Sequence, residues 1–60
     1  MVVVQLIYKG YPSMVQTATT PRELKGIFNF ARSEDYTVNI TQGWDLAWVQ
    51  TAFQNHQEVA

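Results

Sequence analysis

The sequence predicts a small α+β domain, in which a three-stranded, mainly antiparallel sheet carries one or two helices packed on one face. Three observations support this fold class: an N-terminal run rich in β-branched residues, a helix-capping sequence from Thr20 to Glu23, and strict alternation of apolar and polar residues over 36–41. They give the element order β-(β)-α-β-α. A helical crossover between the strands then predicts the strand order 2-1-3 in a single domain over residues 1–60.

The first predicted strand covers residues 2–9. It contains no Gly or Pro and is apolar on nearly both faces, as a central strand would be. Residues 10–13, Gly-Tyr-Pro-Ser, have the composition of a turn. Residues 14–19 are compatible with a second, weaker strand that completes a hairpin, and an extended edge or loop is the alternative.

A helix is predicted over 21–33. The Thr20 hydroxyl can accept a hydrogen bond from the Glu23 amide while the Glu23 carboxylate returns one to the Thr20 amide, and Pro21 suits the first helical position. The residues that follow form one apolar stripe, consisting of Leu24, Ile27, Phe28 and Ala31. The polar run over 32–35 ends the pattern.

Residues 36–41 predict a third strand with one buried face, and the break at Gln42-Gly43 leaves two interpretations of residues 44–57. A hairpin strand would place Trp44, Leu46 and Trp48 on one face. A helix from about Trp44 gives a longer apolar face and is favoured for that reason, with Asp45 near its N-terminus. That face consists of Trp48, Val49, Ala52, Phe53 and His56.

The two apolar faces of the first strand raise a question of coverage. A helix packed on one side of the sheet covers only one of them. The other face is therefore expected to meet either the second helix or a second copy of the chain.

Composition limits the classes of function. The chain has 60 residues, a net charge of −1 and no Cys, so neither a disulfide nor a Cys-based metal site reinforces its small core. The charge predicts no strong attraction to nucleic acid or membranes. The apolar N-terminal run is too short for a membrane span and lacks the basic region of a signal peptide, so a cytoplasmic protein is expected. The length alone invites comparison with small phage or mobile-element accessory proteins.

The sequence does not predict an enzyme. It offers one His, no Cys, no useful carboxylate pair and no glycine-rich phosphate loop, so neither cofactor nor metal is expected. His56, in the last turn of the predicted second helix, is interpreted as a capping or interface residue. The helix dipole there would favour its protonation.

Aromatic residues are the main candidates for partner binding. Phe30 borders the apolar stripe of the first helix, and Trp44 and Trp48 lie one helical turn apart. Ordinary core packing is the alternative for the tryptophans. Six Gln, six Thr and three Asn outnumber the nine charged residues, a pattern typical of an assembled protein. The sequence therefore predicts a non-enzymatic protein-interaction module, forming a homodimer, with a protein partner of unknown identity.

A nucleic-acid-binding module is the alternative function. Three of the four cations lie with one Asn within an arc of about 80° on the first helix, at Arg22, Lys25, Asn29 and Arg32. Such a face could meet phosphates. A solvated helix face is the more ordinary interpretation, because no aromatic residue of the helix interleaves with these cations.

Overall fold

The computed structural model describes residues 1–58 and confirms the α+β fold class. Its elements are β1 (Val2–Tyr8), β2 (Tyr11–Ala18), α1 (Pro21–Ser33), β3 (Thr37–Gln42) and α2 (Ala47–Glu58). The sheet has the predicted order β2-β1-β3, and both pairings are antiparallel.

The turn between β1 and β2 lies earlier than residues 10–13. Lys9 (φ 51°) and Gly10 (φ 84°) form it, and two consecutive positive φ values are typical of a two-residue hairpin turn. Tyr11 and Pro12 pair with β1 instead of turning. Pro12 is tolerated because β2 is an edge strand, where a missing N–H can face away from the ladder. Because β2 runs to Ala18, residues 14–18 form a strand at the edge of the sheet, and the alternative of a loop over 14–19 is wrong.

Helix α1 begins where the capping sequence predicts. The Thr20 hydroxyl accepts a hydrogen bond from the Glu23 amide at 3.2 Å. The Glu23 carboxylate reaches mainly to Thr19, accepting from its hydroxyl at 2.6 Å and from its amide at 3.3 Å. These bonds from Thr19, more than those from Thr20, lower the pKa of Glu23. The main partner of the Glu23 carboxylate is thus Thr19, one residue before the predicted partner Thr20.

Helix α2 confirms the helical interpretation of residues 44–57 and excludes the hairpin. It begins at Ala47, later than Trp44. The intervening residues form a turn in which the Leu46 amide donates to the Gly43 carbonyl at 3.1 Å. Gly43 takes φ 95° there, in close approach to Val2, so this bend requires glycine.

The core lies between the sheet and both helices. Alternate residues of β1 supply its sheet side, and its fully or almost fully buried members are Val2, Val4, Leu6, Ala18, Leu24, Phe28, Ala31 and Val49. Because this one cluster contains residues of α1 and α2, both helices cover the same face of the sheet.

The opposite face of the sheet stays open within the chain. Val3, Gln5 and Ile7 of β1 are half-buried there, and Val15 of β2 is 60% exposed. The expectation that the second helix covers this face is wrong, because α2 packs beside α1. Coverage by a second copy stays a prediction.

Within residues 1–58, no helix combines the length and the apolar character needed to cross a bilayer.

Candidate binding groove between the two helices

The two helices pack side by side and run in the same direction. Their contact joins equivalent ends, since Arg32 near the end of α1 meets His56 near the end of α2. Further toward the middle, the Phe28 ring meets Phe53 edge-on with centroids 6.2 Å apart. The outer surface along this contact forms the site described below.

A groove of about 610 Å³ follows the line where the helices meet. Helix α1 lines it with Pro21, Lys25, Phe28, Asn29 and Arg32. Helix α2 lines it with Trp48, Thr51, Ala52, Asn55 and His56. These positions repeat at helical spacing on each element, so each helix contributes one continuous stripe.

The groove has an apolar floor and a polar rim. Phe28 is only 4% exposed at its base, and Trp48 and Ala52 are half-buried beside it. Exposed amide and hydroxyl side chains of Asn29, Thr51 and Asn55 stand along the rim with the two cations. An apolar side chain of a ligand can be desolvated on this floor while polar groups remain at the edge.

Arg32 and His56 close the groove where both helices end. The Arg32 Nη2 group donates to the His56 backbone carbonyl at 2.8 Å and lies 3.0 Å from its Nδ1 atom. The imidazole stacks on Phe28, with centroids 4.7 Å apart. Arg32 thereby caps a carbonyl in the last turn of α2. Carbonyl groups at the end of a helix have no hydrogen-bond partner within the helix itself.

The contacts of His56 act against its protonation. Burial lowers the pKa of His56, and the positive charge of Arg32 lowers it further. This direction is opposite to the one expected from the helix dipole, because desolvation and a neighbouring cation both disfavour the charged ring. In the neutral ring, Nδ1 can accept a hydrogen bond from Arg32.

The three predicted partner-binding residues lie in different places. Trp48 lines the groove. Phe30 is 43% exposed and stacks on Tyr36, with centroids 5.8 Å apart. Trp44 is 48% exposed and meets Phe53 edge-on at 5.3 Å, beside a smaller crevice of about 310 Å³ against β3. They therefore do not form one aromatic surface.

The predicted nucleic-acid-binding face is largely one wall of the same groove. Lys25, Asn29 and Arg32 line it, whereas Arg22 is exposed on α1 outside the lining. Within α1 alone, no aromatic residue interleaves with these cations. Packing of α2 brings Trp48 into the same groove, so an aromatic ring and the cations share one site.

The polar residues that α2 adds to the groove are not among the site residues that the sequence predicts. Thr51 and Asn55 follow Trp48 at i+3 and i+7, a spacing that could have marked them as its neighbours. Nothing in the local sequence indicates that this border of α2 faces α1, because that depends on how the two helices pack.

Metal binding and similarity to known proteins also bear on the site. In the part of the chain that the structure describes, no three His, Cys, Asp or Glu side chains group in a way that could hold a metal ion. Comparison with protein-family models, curated proteins and solved structures finds no match to this chain.

Proposed function

We propose that this chain is a non-enzymatic protein-interaction module that holds a segment of a partner protein in the groove between α1 and α2. The observation that carries the proposal is the apolar floor formed by Phe28, Trp48 and Ala52 within an open groove of about 610 Å³. That volume is within the usual range of ligand sites, roughly 300–1,000 Å³.

The composition of the groove supports a protein partner. Trp is among the residues that most often supply binding energy at protein interfaces, because it removes a large apolar area from water while few torsions are frozen. Trp48 is half-buried against its own chain, so much of its orientation is already fixed before a partner arrives. The rim of uncharged polar side chains resembles the rim of a transient interface.

The titratable side chains of the groove support a role without catalysis. Its three such groups are Lys25, Arg32 and His56. His56 is engaged by Arg32 and packed on Phe28, which limits its access to a substrate proton. Among the described residues, the groove lining contains no Ser or Cys that His56 could activate as a nucleophile.

Selection from a random peptide library displayed on phage tests the proposal. Wild-type protein should enrich peptides that lose at least tenfold in affinity on the Trp48→Ala variant. The matched control is Trp44→Ala, which removes the same type of side chain from the turn before α2, outside the groove lining, and should leave affinity unchanged. Far-UV circular dichroism checks that both variants fold. Enrichment that is equal on all three proteins would refute the proposal.

Nucleic-acid binding is the second candidate, favoured by the presence of Trp48 and Lys25 in the lining of one groove. Stacked aromatic rings and nearby cations are the usual components of a single-strand binding site. Fluorescence anisotropy of a labelled single-stranded oligonucleotide at low salt tests it. The candidate requires binding that weakens steeply with salt and with either Trp48→Ala or Lys25→Gln. Absence of binding at low salt would exclude it.

A further inference from the structure

The charged side chains described in the groove lining have one sign. Within residues 1–57, whose side chains the structure describes, Lys25 and Arg32 are the only charged side chains in this lining, and no carboxylate of that range accompanies them. The whole chain nevertheless has a net charge of −1. The pair of cations in the groove is therefore a local feature, which the net charge of the chain does not reveal.

The nearest carboxylate of α1 in sequence is held away from the groove. Glu23 is occupied at the helix cap, where its Oε1 atom accepts from the Thr19 hydroxyl at 2.6 Å and the Thr20 hydroxyl at 3.2 Å. It does not line the groove. Lys25 is thus presented without this neighbour as a competing partner.

The second cation is fixed in place before any ligand arrives. Arg32 donates to the His56 carbonyl at 2.8 Å, a contact that orders its long side chain. A ligand that meets Arg32 therefore pays less of the entropy cost of immobilising it. Because the imidazole pKa is lowered, the neutral ring at neutral pH adds no third charge beside Arg32.

The spacing of the two cations relates them to the apolar floor. Lys25 and Arg32 are two helical turns apart on α1, which separates their backbones by about 10 Å along the groove. Phe28 lies between them in sequence and is at the base of the groove. An apolar side chain on the floor would therefore have a cation on either side.

From this arrangement we infer that the partner segment is acidic, with a large apolar side chain flanked by carboxylates. The apolar side chain packs on Phe28, Trp48 and Ala52, and the carboxylates meet Lys25 and Arg32. The inference rests on the proposed function and adds to it the chemistry of the partner. A peptide is favoured over a nucleic acid because two cations neutralise few phosphates, whereas the floor suits an aliphatic or aromatic side chain.

The same random peptide library tests the inference when Lys25→Glu is added to the selection. Wild-type protein should enrich peptides that combine Asp or Glu with a large apolar residue. Lys25→Glu should lose these peptides and enrich basic ones, because the charge at one end of the groove is reversed. A synthetic peptide from the wild-type selection should bind the Lys25→Glu variant about five- to tenfold more weakly than it binds wild-type protein. Its affinity for wild-type protein should also fall as the salt concentration is raised.

The outcomes separate this inference from the function on which it rests. Neutral or basic peptides that depend on Trp48 would overturn the acidic partner and leave the interaction module standing. No peptide that depends on Trp48 would overturn both. Binding of the single-stranded oligonucleotide that needs Lys25 and Trp48, in the absence of such peptides, would also overturn both and favour the nucleic-acid candidate. Lys25 is exposed, so its substitution should not disturb folding.

Discussion

Replacement of Arg32 by Gln should loosen the contact between the ends of α1 and α2 and change the titration of His56. Arg32 makes one hydrogen bond to the His56 carbonyl, at 2.8 Å, and a contact of 3.0 Å with its Nδ1 atom. Hydrogen bonds that involve a charged group contribute about 1.5–3 kcal/mol when shielded. Arg32 is exposed, so solvent screening reduces the expected loss to about 1 kcal/mol.

A loss of that size is measurable in so small a domain. Thermal unfolding followed by circular dichroism should show Tm lowered by about 4–8 °C, since a small domain has a small unfolding entropy. Arg32→Lys is the matched control for charge. It keeps the cation but not the planar guanidinium, so it should recover little of the lost stability.

The pH dependence of stability follows from the lowered pKa of His56. Between the folded pKa and the ordinary value of about 6.5, the unfolded chain binds more protons than the folded chain, so stability rises with pH. The contribution of His56 is therefore fully present above about pH 6.5 and is lost as the pH falls toward the folded pKa. Arg32→Gln should narrow the pH range between the folded pKa of His56 and its ordinary value, because one of the two causes that lower this pKa is removed.

His56 is the only His in the chain, so proton NMR reports its titration without ambiguity. Wild-type protein should titrate below the ordinary value. Arg32→Gln should raise the pKa only in part, since burial is the larger cause and remains. A wild-type His56 that titrates at or above about 6.5 would refute the reasoning, because the helix dipole would then outweigh burial and Arg32.

Further outcomes are expected for the first helix, the bend at Gly43 and the oligomeric state. Thr20→Ala should cost about 1 kcal/mol by removing the helix cap, whereas Gly26→Ala should add up to about 1 kcal/mol, because a methyl group in mid-helix would meet open space. Urea titration measures both, and an equal sign for the two would contradict the account of α1. Gly43→Ala should cost about 1–3 kcal/mol, because φ is 95° and the new methyl group would lie 3.1 Å from Val2, and unchanged stability would contradict the close approach. Sedimentation equilibrium at micromolar concentration should give twice the 6.9 kDa chain mass, and Val15→Lys on the open sheet face should return the monomer; a wild-type monomer would refute the predicted homodimer.

Local interactions account for what the sequence predicts well. The Thr20 cap, the apolar stripe of α1 and the alternation of β3 depend on residues within a few positions of one another, so their signals survive in the bare sequence. Even so, the predicted position of the first turn differs from the observed one. Pairing of β1 with β2 requires a positive φ at Lys9, so the turn begins one residue before the Gly-Tyr-Pro-Ser sequence that predicted it.

The sequence by itself determined the fold class and the strand order, because these follow from periodicity, capping and the crossover rule. It favoured a helix over a hairpin strand for residues 44–57, and the structure decided between the two. The tertiary structure alone decided that both helices cover one face, that Trp48 and Lys25 line one groove, and that burial and Arg32 lower the pKa of His56. Arg32 and His56 lie far apart in sequence, on different helices, and no local pattern encodes their approach. Contacts of this kind depend on how the helices pack against each other and the sheet, which is set by the fit of the whole core.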